Sequence, residues 1–257
     1  MKNIFFHKNT LLLIIIFSCI VFPKINPCSI CDLPLEQSFS IDVWGNQFHT
    51  YHEAEGIFCY SCSRIISQKI TNGGYIFEDG RHLCSLCNVS AIHKSSDIKN
   101  SFDSVLEQLK LVGITGLSNK IPINLLNMHN LNNLNNFSHS NTKGYTEIVL
   151  TNDKKIHYAS ISILSGLPKI EFEAILAHEL LHIWIKKNNI NLDSKKEEGF
   201  CNLGSYLIYK NHNTKISKIH LQSMENNNDP IYGLEYRKIK KTLKNRGWEN
   251  LIKSLLN

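Results

Sequence analysis

Three Cys-x-x-Cys pairs, Cys28/Cys31, Cys59/Cys62 and Cys84/Cys87, constrain the N-terminal third of this chain more than any other feature, with His49/His52 placed between the first and second. A separation of this kind lets a tight turn present both side chains to one metal ion, so each pair supplies half of a four-coordinate site. Six thiols and two imidazoles make eight ligands, enough for two tetrahedral zinc ions. The competing arrangement is a disulfide framework, which an exported chain would favour. Bridges within Cys-x-x-Cys pairs staple a domain awkwardly, however, and the histidines at knuckle spacing fit zinc better. A segment of about sixty residues with so little apolar core depends on such metals to fold. Trp44, Phe48, Tyr60, Tyr75 and Phe77 are expected to form its small core, and His82 beside the third pair is either a replacement ligand or a surface residue.

A second constellation is Ala177-His178-Glu179-Leu180-Leu181-His182. On a helix, His178 and His182 share one face about 6 Å apart at Cβ, close enough to hold a single metal ion. Glu179 lies roughly 100° further round, where it can reach a metal-activated water without ligating the metal. The bland alternative is two surface or capping histidines on an ordinary helix. The flanks argue against it: Pro168 suits a first helical turn, and Ile170, Ala174, Ile175, Leu181 and Ile185 supply an apolar face. Two histidines leave zinc one protein ligand short of a catalytic site. Glu197-Glu198-Gly199-Phe200-Cys201, opening the next helix through Leu203, Tyr206, Leu207 and Tyr209, is the nearest source of another.

Between these regions, Ile98 to Leu111 reads as an amphipathic helix with Phe102, Val105, Leu106 and Leu109 on one side and Ser96 or Asp97 as a cap. Ile121 to Leu126 is a short strand candidate, and the asparagine-rich stretch from Asn127 to Asn141 reads as a loop. Tyr145 to Leu150 and Ile156 to Leu164 read as strands joined by a turn at Asn152-Asp153-Lys154. The second alternates Ala159, Ile161 and Ile163 with Ser160 and Ser162. It is either a sheet edge along which an extended peptide could pair or a half-buried structural strand.

Lys2, His7 and Lys8 precede an apolar run from Leu11 to Phe22 that is too short to span a bilayer and has the shape of an export-signal core. Ile16-Phe17-Ser18-Cys19 resembles a loose lipobox, which would lipidate Cys19 and anchor the chain to a membrane. The expectation is an exported protein, secreted, periplasmic or held as a lipoprotein. The formal charge of +6 falls entirely on residues 210–257, which carry 10 Lys/Arg against 4 Asp/Glu. Such a tail can attract nucleic acid or anionic lipid, but Ile231, Leu234, Ile239, Leu243, Leu251, Ile252 and Leu255 give it packing to do, and a solvated helix face is the stronger reading. No nucleic-acid partner is expected, because the Cys/His segment itself is not basic.

The Cys/His pattern resembles a LIM domain, with His52 where many LIM domains carry cysteine. That likeness implies one site of Cys28, Cys31, His49 and His52 and another of Cys59, Cys62, Cys84 and Cys87. A glutamate on the helix after His-Glu-x-x-His resembles the gluzincin arrangement, which implies Glu198 as the third catalytic ligand and Glu197 as an outer carboxylate. Gly166-Leu167-Pro168, the run from Ala174 to Trp184, Glu197 to Cys201, Asp79 to Cys84, and Asp229 to Arg237 together look like the plant DA-type peptidases, which are growth-limiting, ubiquitin-activated LIM-domain metallopeptidases. The likeness covers about residues 28 to 250. It departs upstream, where the apolar run stands in place of a ubiquitin-interacting region, and the lysine- and asparagine-rich composition suggests a bacterial relative.

The expected fold is α+β: a signal over 1–22, a LIM-like two-zinc module over 23–97, and a zincin-type metallopeptidase domain with a small sheet and an active-site helix over 98–257. The expected activity is hydrolysis of peptide bonds in protein or peptide substrates, with one catalytic and two structural zinc ions and Glu179 as general base. Tyr232, Tyr236 and Arg237 are candidates to stabilise the oxyanion, or equally packing and surface residues. The rival is an inactive zinc-stabilised adaptor that binds a protein partner through its LIM-like module.

Overall fold

A computed structural model describes residues 26–134 and 142–256. The apolar run expected to be an export signal and Cys19 lie outside the described residues, as does the end of the asparagine-rich stretch, 135–141. No helix among the described residues is long and apolar enough to cross a membrane.

The N-terminal module is built from very short elements because its ligands, not a large core, hold it together. Strands β1 (Phe39–Ile41) and β2 (Gln47–His49) form one antiparallel hairpin, and β3 (Gly74–Ile76) and β4 (His82–Cys84) form another. Helical turns α1 (Tyr51–Glu55), α2 (Gln68–Thr71) and α3 (Ser85–Asn88) follow the hairpins and the bend between them. The buried carboxylate of Asp42 ties the two halves, accepting hydrogen bonds from the N–H groups of Trp44, Asn46 and Ile65 at 2.9, 3.0 and 3.2 Å. Phe48 is buried in the first half. Tyr75, expected in this core, is instead exposed, because its three-residue strand has no second layer over that face.

The module's second half is seated on the remainder of the chain. Ala91 bridges Pro168, and the N–H of Lys169 donates to Ser90 O at 2.8 Å, so the module's last turn leads into the helix that starts at Lys169. Buried Arg81 pairs with Asp79 at 2.9 Å and donates to Ser165 O at 3.0 Å, while Asp79 accepts from Met128 N at 2.9 Å. Ser61 donates to Glu171, which pairs with Lys143 at 2.5 Å.

Helix α4 (Ser95–Leu111) leads to a three-stranded sheet of β5 (Ile123–Leu126), β6 (Gly144–Leu150) and β7 (Ile156–Leu164), in the order β5-β7-β6. Strand β5 runs parallel to β7 and β6 antiparallel to it. Strand β7 is therefore central and cannot offer an edge to a peptide. Its serines 160 and 162 are buried as well as Ile161 and Ile163, and the structural reading of that strand holds. Within the asparagine-rich stretch, α5 (Met128–Leu134) forms where a loop was expected, anchored by fully buried Leu131.

Helices α6 (Lys169–Lys187), α7 (Ser194–His212), α8 (Lys215–Asn226) and α9 (Glu235–Leu256) complete the fold, with a π-turn at Pro230–Leu234. The core gathers Val105, Leu109, Ile161, Ile163, Phe172, Leu176, Leu180, Phe200 and Leu203 between the sheet and these helices. Full burial of each large side chain contributes about 1.5–3 kcal/mol. The side chain of Asp193 caps α7 by accepting from Lys196 N at 3.0 Å. Helix α7 approaches α6 closely at Gly204, where a Cβ would lie 2.7 Å from the carbonyl oxygen of Ala177.

Candidate metal centre

That close approach sets the site. His178 and His182 project from α6, and Glu198 from the first turns of α7 comes alongside them. The two Nε2 atoms are 3.3 Å apart; Glu198 Oε2 is 3.2 Å from His178 Nε2, and Oε1 is 3.7 Å from His182 Nε2. Ligands about 2.0–2.1 Å from a tetrahedral zinc are separated by roughly 3.3 Å, so a zinc ion fits this triangle. Glu198 Oε2 is buried without a hydrogen-bond partner, as an oxygen reserved for a cation would be.

The outer ring nitrogens are also engaged. His178 Nδ1 faces Asn202 Oδ1 at 3.1 Å, and the Asn202 amide donates to Tyr232 O at 2.9 Å. His182 Nδ1 faces Glu197 Oε1 at 3.0 Å, and Lys186 holds the other oxygen of Glu197 at 2.8 Å. Donation from each Nδ1–H leaves both Nε2 lone pairs directed inward, the tautomer a metal requires. Burial opposes charge on both carboxylates, yet His178 lowers the pKa of Glu198, and His182 with Lys186 lowers that of Glu197. Burial likewise opposes charge on His182, but its contact with Cys201, its hydrogen bond to Glu197 and the nearby Glu179 carboxylate push its pKa up. Burial raises the Cys201 thiol to about 11, leaving it neutral at pH 7. The carboxylates therefore supply the field, and the pocket is one that favours a cation.

Cys201 was not anticipated as part of the site. Its Sγ clusters within 4.8 Å of a ring nitrogen of each of His178 and His182, and the three form a group able to hold a metal. It follows Glu198 by three residues, so helical spacing alone puts both on one face of α7.

Glu179 is nearly buried and turns toward β6, where its Oε2 accepts from the Thr146 hydroxyl at 2.6 Å. A side chain at Gly144 would come within 2.5 Å of Glu179 Oε1 and 2.6 Å of Ile175 Cγ2, so glycine lets this strand lie against the carboxylate with neither side chain displaced. Tyr232 is half exposed, its carbonyl accepts from Asn202, and its hydroxyl pKa is raised by burial and by Glu198. The other two candidates point elsewhere. Buried Tyr236 donates to Glu225 Oε1 at 3.0 Å, and Arg237 donates to Glu225 O at 2.8 Å and to Asn227 O.

The module holds two further clusters, Cys28/Cys31/His49/His52 and Cys59/Cys62/Cys84/Cys87, each with its ligand atoms within 4.8 Å of one another. In the first, His49 Nδ1 faces Cys31 Sγ at 3.5 Å while Nε2 meets Pro34 O at 3.0 Å. Burial raises the Cys28 thiol, but backbone N–H groups around it prevail and lower it to about 6, favouring the thiolate that zinc binds. In the second, Cys62 and Cys84 sulfurs are 3.8 Å apart and Cys84 N–H donates to Cys59 Sγ at 3.3 Å. His82 belongs to neither cluster.

An α+β fold with two Cys/His zinc clusters, followed by a helix bearing His-Glu-x-x-His beside a carboxylate-bearing neighbour, defines a LIM-like module and a zinc metallopeptidase-type site. A family profile described as "DA1-like: Protein DA1" matches residues 123–212, the stretch from β5 through α7 that contains every residue of the α6–α7 centre. The chain is 26% identical over 197 residues to Protein DA1-related 2 of Arabidopsis thaliana, covering 64% of this chain and 37% of that protein. It is 26% identical over 198 residues to LIM domain-containing protein HDR3 of Oryza sativa subsp. japonica, covering 64% and 39%. The chain thus spans well under half the length of these relatives. No solved structure matches it significantly.

Proposed function

We propose that the chain is a zinc-dependent endopeptidase of the DA1-like kind, in which His178, His182 and Glu198 hold the metal and Glu179 is the general base. The observation that carries this reading is the 3.2–3.7 Å triangle of two imidazole nitrogens and an unpartnered carboxylate, with a second carboxylate on the adjoining face of α6. When bound, zinc supplies Lewis acidity that brings a water's pKa toward neutrality. Glu179, fixed by Thr146, accepts the proton of the attacking water and returns it to the leaving amine. The half-exposed ring of Tyr232 and the influence of Glu198 on its hydroxyl support it as a donor to the developing oxyanion, while Tyr236 and Arg237 anchor its segment to α8. The open side of β6, beside Glu179, supports pairing with an extended substrate backbone. Cys201, grouped with the two histidines, is a further donor beside Glu198 at this pocket. The LIM-like module supports a protein partner, and the apolar N-terminal run supports export.

The test is Glu179→Gln in the full chain. Casein cleavage that is lost on chelation in the wild type should fall at least about a thousandfold in the variant, while metal analysis still finds three zinc ions per chain. Retained turnover in the variant would sink the assignment.

A further inference from the structure

Away from the metal centre, a groove of about 640 Å³ opens where three separate segments meet: the loop before β5, the turn between β6 and β7, and the last turn of α6. Its inner wall is aliphatic, with Ile156 and Ile183, and its rim carries Lys120, Lys154, Lys155 and Lys187. No carboxylate lines it. Asp153 beside it engages Lys155 at 2.8 Å, and Lys187 leans on the Gly116 carbonyl. Among the described residues, Lys120 and Lys154 meet no carboxylate. This concentration of cations sits in a part of the chain that is otherwise balanced, since residues 210–257 account for the whole formal charge of +6.

Lys154 adds an independent observation. It closes the β6–β7 turn with φ of 62°, the left-handed conformation that glycine or asparagine adopts with less strain. A lysine there sacrifices local backbone preference and places its ammonium at the groove, and strain of this kind is found where function requires it.

We propose that this groove docks an acidic segment of a partner protein whose aliphatic side chains enter between Ile156 and Ile183 while its carboxylates meet the lysine rim. Charge complementarity selects the occupant. Single-stranded nucleic acid would call for a run of large aromatic faces, and the groove offers a single phenol ring, Tyr158, beside the imidazole of His157. A bilayer is flat, whereas the apolar wall here is recessed behind the lysines. The docking does not depend on bond cleavage, so it stands or falls separately from the peptidase reading.

The experiment uses the zinc-loaded full chain and fluorescence anisotropy with a fluorescein-labelled peptide alternating glutamate and leucine. Binding is expected, weakening as salt rises, and lost on exchange of glutamate for glutamine in the probe. Lys120→Glu combined with Lys154→Glu should weaken it at least about tenfold while casein turnover is unchanged. Lys154→Gly separates docking from folding: it relieves the backbone, so the melting temperature should hold or rise while peptide affinity falls. Equal binding of the glutamine peptide, undiminished binding by the double variant, or tighter capture of oligouridine or phosphatidylserine vesicles would overturn the proposal.

Discussion

Replacing Gly204 with alanine tests whether the approach of α7 to α6 assembles the metal centre. The new Cβ would sit 2.7 Å from Ala177 O, 2.8 Å from its carbonyl carbon and 3.1 Å from His178 N. These are backbone atoms in the middle of α6, with no flexible end to swing aside. Ordinary van der Waals contact would require the helices to part by about 0.5–0.7 Å. Alanine in a helix interior otherwise gains about 0.5–1 kcal/mol over glycine, so propensity alone predicts stabilisation. Overpacking of a tight core costs about 1–3 kcal/mol, and the expected net is a loss of about 1–2 kcal/mol. For a chain of this size that lowers the melting temperature by roughly 3–6 °C. Glu198 is on the same helix, so separation of α6 and α7 also opens the 3.2–3.7 Å ligand triangle. Zinc affinity at this centre should fall about tenfold or more, comparable to the loss of an outer hydrogen bond to a ligand. Thermal melts monitored by circular dichroism and competition with a chromophoric chelator measure the two effects. Lys210→Ala, exposed on the same helix, serves as a control that should change neither. A Gly204→Ala protein that melts higher and binds zinc as tightly as the wild type would refute the reasoning.

Glu197→Ala removes the carboxylate that orients His182, and should weaken zinc binding at the α6–α7 centre by about 10–100-fold while the two module sites stay filled, as read by chelator competition. Lys143→Met leaves Glu171, only 3% exposed, without its cation; unfolding in urea should show a loss of about 3 kcal/mol, largely recovered by adding Glu171→Gln. Asp79 provides a pH signature. Burial would raise its pKa, but Arg81 and the Met128 N–H outweigh burial and lower it. Its stabilisation is therefore present above the unfolded value of about 4 and is lost as pH falls through the lower folded value. Asp79→Asn should flatten the acid limb of a urea-midpoint profile, and an unchanged limb would show that this carboxylate is not linked to folding.

What was legible in the sequence was local in the chain. Histidines four apart on α6 and cysteines in knuckle pairs declare their geometry within a turn or two, and the structure brings these ligands together as their spacing demands. Cys201 was equally readable by that rule, three residues after Glu198, but a buried thiol beside a carboxylate carries no separate pattern. The central place of β7 was not readable, because alternating Ile156–Leu164 suits an edge or a middle strand and only pairing with distant β5 decides between them. Helix α5 likewise overrides poor asparagine propensity through contacts made elsewhere: Met128 N donates to Asp79 in the module, and Leu131 is buried in the core.

The same division separates two kinds of information in the metal centre. Helical periodicity places two nitrogens on α6, but the third corner of the triangle depends on how near a second helix can come, and that distance is set by a missing side chain at Gly204. The proposed base has a parallel dependence, since Glu179 is held by Thr146 and Gly144 on a strand that Lys143 ties to Glu171 beneath the zinc module. The ligands are thus written as a motif, whereas their alignment rests on close approaches and buried pairs spread over the chain. A protein carrying the motif without those contacts would have the residues of a peptidase site and lack its geometry.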